Sequence, residues 1–233
     1  MLLGGDEAPT PMALTQGANA IVEAQLIQHV ASIERDFDAD ALTYIGPIAT
    51  GADDHIKDAI ENLPRHKRRL IFILETNGGF AESTRRISDT LRHHYRTVDF
   101  LIPSHAMSAG TILAMSGDAI WMDYYSVLGP IDPQVQSQDG SHLIPALGYL
   151  IKYEELLAKA NAGQAGGAEL EILLNFNQGE LYSYEQARAL SVSLLEEWLV
   201  RYKFRNWKTT ERQRQPVTRS MKKARARQIA AIL

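Results

Sequence analysis

The 233-residue chain contains no cysteine. That absence removes disulfide cross-links, thiolate metal sites and a cysteine nucleophile together, so any catalysis must use oxygen, nitrogen or backbone groups. Long apolar runs are missing as well: none reaches the about 18 residues that a membrane-spanning helix needs. The opening Met1-Leu2-Leu3-Gly4-Gly5-Asp6-Glu7-Ala8-Pro9 lacks the basic region and apolar stretch of a signal peptide. A cytoplasmic location with no membrane partner is the expectation. The hydrophobic content of 45% is ordinary for a globular protein and enough for a substantial core.

Acidic residues are scarce in one place. Residues 201–227 hold eleven Lys or Arg against the single acid Glu211, so this segment carries +10 and the remainder −14. Such a segment is suited to docking on the acidic body of its own chain or of a neighbouring subunit, or to holding an acidic partner or nucleic acid. The interleaved Tyr202, Phe204 and Trp207 favour anchoring by packing over stacking on bases, and nucleic acid is not the expected partner.

Three irregular segments follow apolar runs. In the first, Leu70-Ile71-Phe72-Ile73-Leu74 reads as a strand that ends in Glu75-Thr76-Asn77-Gly78-Gly79-Phe80, with a helical pattern to His94 immediately after. Paired glycines between strand and helix let backbone N–H groups approach a ligand closely, as an oxyanion hole requires, although a plain connecting turn has the same look. In the second, the strand Thr97 to Ile102 closes at Pro103, and His105-Ala106-Met107-Ser108-Ala109-Gly110-Thr111 leads into an apolar helix to Met115. Ser108 thus sits at a helix N-terminus, where free N–H groups and the dipole favour developing negative charge, and where serine is also a common cap. The third, Val127-Leu128-Gly129-Pro130-Ile131-Asp132-Pro133-Gln134, holds two prolines that exclude helix and central strand and demand a rigid exposed or site-lining turn.

In this order, the Asn-Gly-Gly turn, the Ala-Met-Ser-Ala-Gly-Thr elbow and the Leu-Gly-Pro-Ile-Asp-Pro-Gln turn resemble the serine dehydrogenase proteinase family. That family is related to signal peptide peptidase A and the Clp protease proteolytic subunit, within the Clp/crotonase superfamily. The resemblance covers roughly residues 20 to 205. It implies an α/β spiral of ββα units, a nucleophile at Ser108, and an oxyanion hole from Gly78 and Gly79 with the N–H of Ala109. It also implies peptide or unfolded-protein substrates, a homo-oligomer, and room for an unfoldase or adaptor. No metal or cofactor is called for.

The remaining pattern agrees with an α/β domain over 18–200, preceded by a flexible leader (1–17) and followed by a basic helical extension (201–233). Ala18 to Phe37 reads as an amphipathic helix, Ala41 to Ile45 as the first strand, Asp53 to Asn62 as a helix with Asp53 or Asp54 as cap, and Ala119 to Met122 as another strand. From Pro145 onward the pattern is helical, broken by a Gly/Ala-rich loop near 163–167 and resuming over Leu190 to Tyr202. A last helix, with Thr218 as cap, runs from Val217 to Leu233 and stops without a polar ending, as a helix buried in an oligomer or a shortened chain would.

A serine hydroxyl needs a base, either histidine held by an acid or lysine kept neutral by burial. In the Clp proteolytic subunit the histidine comes in the segment that here reads Gly-Pro-Ile-Asp-Pro-Gln, which has none. His105 at a strand end is expected to point away or fill the outer side of the elbow. His142 lies in a hydrophilic loop, and His93 and His94 lie at a helix end. Signal peptide peptidases and their relatives use a Ser-Lys pair with the lysine downstream. Lys152, in Gly148-Tyr149-Leu150-Ile151-Lys152-Tyr153, fits that order, and apolar neighbours would desolvate it; a snorkelling surface lysine fits equally. Lys159 reads as more exposed. Asp132 is the candidate for orienting a base or binding substrate. Two alternatives remain beside the peptidase: a crotonase-like acyl-thioester enzyme that needs no serine, and an idle scaffold that binds through its basic tail.

Overall fold

Four parallel strands, in the order β1-β2-β3-β5, form the main sheet: β1 (Asp40–Ile45), β2 (Arg69–Glu75), β3 (Thr97–Ile102) and β5 (Ala119–Met122). They are seen in a computed structural model that describes residues 11–131, 134–136, 143–212 and 214–231. Leu42, Phe72, Phe100 and Ile120 stand side by side in register across one face. That face buries Leu70, Phe72, Leu74, Val98, Phe100 and Ile102 against Ile56 and Ile60 of α2 (Ala52–Glu61), Ile87 and Leu91 of α3 (Ala81–His94), and Leu113 of α4 (Ala109–Met115). Strand β2 is apolar almost throughout because Ile71, on the opposite face, is buried as completely as Phe72.

After each main strand the chain adds a short stretch in a second layer before its helix. Ile48 bridges Gly79, Thr76 bridges Ala106, and β4 (His105–Ala106) pairs in parallel with β6 (Val127–Leu128). Main strand, second-layer strand, then helix is a ββα unit, and the α/β fold is of the ClpP-like type that the motifs imply. The second layer matters because it carries the chain past the sheet's carboxyl end, where Gly78 and Ser108 lie.

The C-terminal helices cover α4 from outside. Leu194, Leu195 and Trp198 of α7 (Gln178–Trp198), Leu199 of a π-helical turn (Leu199–Lys203), and Ala226 and Ala230 of α8 (Arg219–Ala230) form one buried cluster with Ile112. The basic extension is therefore packed through its own apolar residues, and α7 and the π-helix run through positions 200 and 201 as a continuous element. Helices α5 (Ala146–Asn161) and α6 (Gly167–Leu174), reached through the antiparallel pair β7 (Gln134–Gln136) and β8 (Leu143–Pro145), form an arm held by Tyr149, whose ring meets Phe176 at 4.7 Å and Tyr184 at 4.8 Å.

Three local readings need correction. Helix α2 is entered from Gly51, in a left-handed conformation with φ 90°, and not capped by Asp53 or Asp54; Asp53 is buried and pairs with Arg86 at 2.7 Å. Helix α7 starts at Gln178 and not Leu190, because the Asn177 side chain accepts hydrogen bonds from the N–H groups of Gly179 and Glu180 ahead of the first apolar repeat. Helix α1 spans Pro11–Phe37, beginning before Ala18. Thr218 does cap α8, accepting from the Met221 N–H at 3.3 Å.

Candidate active site

Ser108 is 5% exposed and adopts φ 49°, ψ −117°, a conformation that costs a residue with a side chain about 1–3 kcal/mol. Its surroundings hold it there. The Ser108 N–H donates to the Pro130 carbonyl at 3.1 Å, Met107 N–H to Thr76 O at 2.9 Å, and Ile112 N–H to Ser108 O at 3.2 Å. Thr111 Oγ1 lies 2.7 Å from the carbonyl oxygen of Ala106 and 2.9 Å from that of Gly129, tying α4 to the elbow behind it and to the proline-bearing turn beside it. That turn therefore lines the site as far as Ile131. Asp132 and His142 lie outside the described residues.

The diglycine turn is laid directly on Ser108. A Cβ on Gly78, whose φ is 101°, would stand 2.7 Å from Ser108 Cβ, 2.8 Å from Met107 O and 3.3 Å from Ala109 N. A Cβ on Gly79, with φ 151°, would run into the backbone of Ile48. The same Ile48 fixes the turn, its N–H donating to Gly78 O at 2.8 Å and its carbonyl accepting from Phe80 N–H at 2.9 Å. Only glycine satisfies both contacts.

The N–H groups of this cradle differ in use. That of Gly78 donates to Thr76 Oγ1 at 3.0 Å, whereas those of Gly79 and Ala109 have no acceptor among the described residues. Ala109 is the first residue of α4, where intrahelical partners are lacking and the helix dipole is positive. Two open donors flanking a buried serine can stabilise an oxyanion on a carbonyl attacked by that serine.

His105 is half-buried and held by neighbouring side chains. Its Nε2 lies 2.9 Å from Asn77 Oδ1 and its Nδ1 3.0 Å from Ser104 Oγ, with Glu75 Oε1 at 4.0 Å. A carbonyl oxygen only accepts, so Nε2 carries a proton and donates to Asn77, holding the start of the diglycine turn. The sequence did not reveal this clasp, because Asn77 and His105 are 28 residues apart and meet only through the second-layer bridge.

The expected desolvation of Lys152 is not found. Its side chain is 54% exposed, and Nζ makes an ion pair with Glu155 Oε2 at 3.1 Å. On α5, Leu150 takes the buried face; two residues on, about 200° around the helix, Lys152 points elsewhere, and Ile151 is exposed as well. Lys159 pairs with Glu169 at 2.8 Å, and that hydrogen bond pushes the amine up from its ordinary value, away from a neutral base.

A lysine that is desolvated lies in the basic extension. Burial lowers Lys203 to about 8, against the attraction of Asp118 and Asp99, and Nζ has no hydrogen-bond partner among the described residues. Asp118 immediately precedes β5, and Asp99, within β3, pairs with Ala119 at the start of β5. At least about 10 Å of strand separates them from the carboxyl end, so Lys203 does not serve Ser108. No group of three or more His, Asp or Glu that could hold a metal occurs among the described residues.

The parallel sheet of ββα units is consistent with a ClpP-like fold. Residues 42–152, just under half of the chain and reaching from β1 to Lys152, match the ClpP-like SDH-type serine proteinase family. The chain is similar to two uncharacterized proteins of Methanocaldococcus jannaschii. One is 31% identical over 122 residues, covering 50% of this chain and 40% of that protein. The other is 33% identical over 94 residues, covering 40% and 32%. The chain thus spans well under half the length of either relative. Among the described residues no helix is long and apolar enough to cross a membrane.

Proposed function

We propose that the chain is a serine endopeptidase in which Ser108 Oγ attacks the carbonyl carbon of a peptide bond. The oxyanion forms between the N–H groups of Gly79 and Ala109, the C–N bond breaks with a proton delivered to the leaving amine, and water then hydrolyses the acyl-enzyme. The observation that supports this reading most is the close approach of Gly78 to Ser108 Cβ, which leaves no room for a Cβ between the diglycine turn and the serine.

Lys152 is our candidate for the general base. It takes that role only after leaving Glu155 and losing water, which a neighbouring subunit or a bound substrate would accomplish. Peptides or unfolded polypeptides in the cytoplasm are the substrates we infer, with a homo-oligomer as the working form, an unfoldase or adaptor as a further partner, and Asp132 as a substrate contact. The exposure of Lys152 favours one second reading, an idle scaffold on the same fold.

Turnover of an unfolded, fluorescence-quenched protein by the wild type, Ser108→Ala and Lys152→Ala variants separates these. We expect wild-type turnover, complete loss in Ser108→Ala with unchanged unfolding temperature, and a large loss in Lys152→Ala. Activity retained by Ser108→Ala would refute the nucleophile, and a folded, assembled wild type without turnover would favour the scaffold.

A further inference from the structure

On the outer side of the helices that cover α4, the end of α7, the π-helix and α8 enclose a cleft of about 880 Å³. Its walls carry Arg201, Arg205, Arg219, Lys222, Lys223 and Arg227, with Glu196 and Glu197 among them. Three of these cations have acidic partners: Arg227 with Glu196 at 3.4 Å, Arg201 with Glu197 at 3.6 Å, and Arg205 with Asp118 at 3.0 Å. Arg219, Lys222 and Lys223 form no ion pair among the described residues; Lys222 donates only to the Arg205 carbonyl, at 3.3 Å.

Those three open α8, whose first turn contains no acid. The positive end of a helix dipole disfavours cations there, and Arg219 stands at i,i+3 and i,i+4 spacing from Lys222 and Lys223, where like charges repel. Helix stability does not account for this arrangement; a bound anion facing the same cleft does.

Polypeptide fits the cleft better than nucleic acid. None of the described lining side chains is aromatic, so bases have nothing to stack on. Glu196 and Glu197 would repel an unbroken run of phosphates but can accept peptide N–H groups. Val200 and Val217 offer apolar contact, and the −14 carried outside residues 201–227 opposes a long polyanion leaving the cleft. Arginine forks match single carboxylates in two-point contacts.

We propose that this cleft docks an acidic segment of a polypeptide client. As a substrate exosite it rests on the peptidase reading; as a carboxylate-binding cleft it does not, so binding is measured apart from turnover. The test is fluorescence anisotropy of a labelled, Glu- and Asp-rich peptide against the Ser108→Ala chain, beside a neutral peptide and single- and double-stranded oligonucleotides of matched charge.

The acidic peptide is expected to bind and the neutral one not. A doubly substituted R219E/K223E chain should weaken binding at least about tenfold. Both positions are exposed, and acids at a helix N-terminus are favourable, so its unfolding temperature should be unchanged or higher. No binding of the acidic peptide, binding indifferent to R219E/K223E, or tighter binding of an oligonucleotide would overturn the proposal. In active chain, an acidic tail on a substrate should lower KM without changing kcat. Equal cleavage of tailed and untailed substrates would remove the exosite and leave the peptidase, whereas binding without cleavage would do the reverse.

Discussion

The two ends of the parallel sheet are held together by different forces. At the carboxyl end the contacts around Ser108 are backbone hydrogen bonds and close approaches: Ile48 to Gly78, Met107 to Thr76, Ser108 to Pro130, and a glycine with no room for a Cβ. At the amino end they are charges. Asp99, 2% exposed, pairs with Arg69 and accepts from Ala119 N–H and Trp121 Nε1; Asp118 pairs with Arg92 at 2.7 Å; Arg92 lies over the Tyr202 ring; and the Nζ of the half-buried Lys203 is buried nearby. A strained serine beside open backbone donors sits at one end, and ionic ties that fasten strands to the C-terminal helices secure the other.

If that division is right, substitutions at the two ends separate rate from stability. The largest effect belongs to Gly79→Ala: a methyl group driven at the Ile48 backbone must displace the turn, removing an oxyanion donor and lowering turnover by about a thousandfold or more. Steady-state kinetics on protein still folded by circular dichroism reads it. At the other end, Asp99→Ala leaves Arg69 without its carboxylate and Trp121 and Ala119 without their acceptor, and should cost about 3–5 kcal/mol in denaturant unfolding. The kcat of its folded fraction should stay close to wild type.

Lys203 sharpens the comparison through pH. Its amine titrates at about 8 when folded and near the ordinary 10.5 when unfolded. Below 8 both states hold the proton and the burial penalty is full. Between about 8 and 10.5 the unfolded chain binds the proton and the folded chain does not, so this group makes stability rise with pH. Lys203→Met should remove that rise and, at pH 7, stabilise the protein by up to about 3 kcal/mol, measured as the difference between variant and wild-type unfolding curves at pH 7 and pH 10. The smallest effect is that of His105→Ala at the carboxyl end. Freed from the imidazole, Asn77 lets the diglycine turn drift, and kcat should fall about tenfold with little change in KM.

How legible each end is from the sequence follows from its physics. Strands β1, β2, β3 and β5 announce themselves as apolar runs, the first three followed by Gly or Pro within a few residues, and the elbow and diglycine turn are visible because a turn's chemistry is local. The amino-end ties are not visible: Arg69 and Asp99 are 30 residues apart and meet through parallel register. The basic extension reads as a segment anchored by packing, and Tyr202 and Phe204 do pack against the cluster that holds Ala226 and Ala230; the desolvation of Lys203 that accompanies this is not visible in the sequence. The desolvation expected of Lys152 is missing for the complementary reason: apolar neighbours in sequence are not neighbours in space on a helix, and the buried face of α5 belongs to Leu150.

The most direct test of the central claim is mass spectrometry after reaction with a fluorophosphonate probe, comparing wild type with Ser108→Ala and Gly79→Ala. A single adduct on Ser108 in the wild type, absent from Ser108→Ala and strongly reduced in Gly79→Ala, is the predicted result. An adduct mapped to another residue, or none on folded and assembled wild-type protein, would contradict an activated nucleophile at the carboxyl end of the sheet.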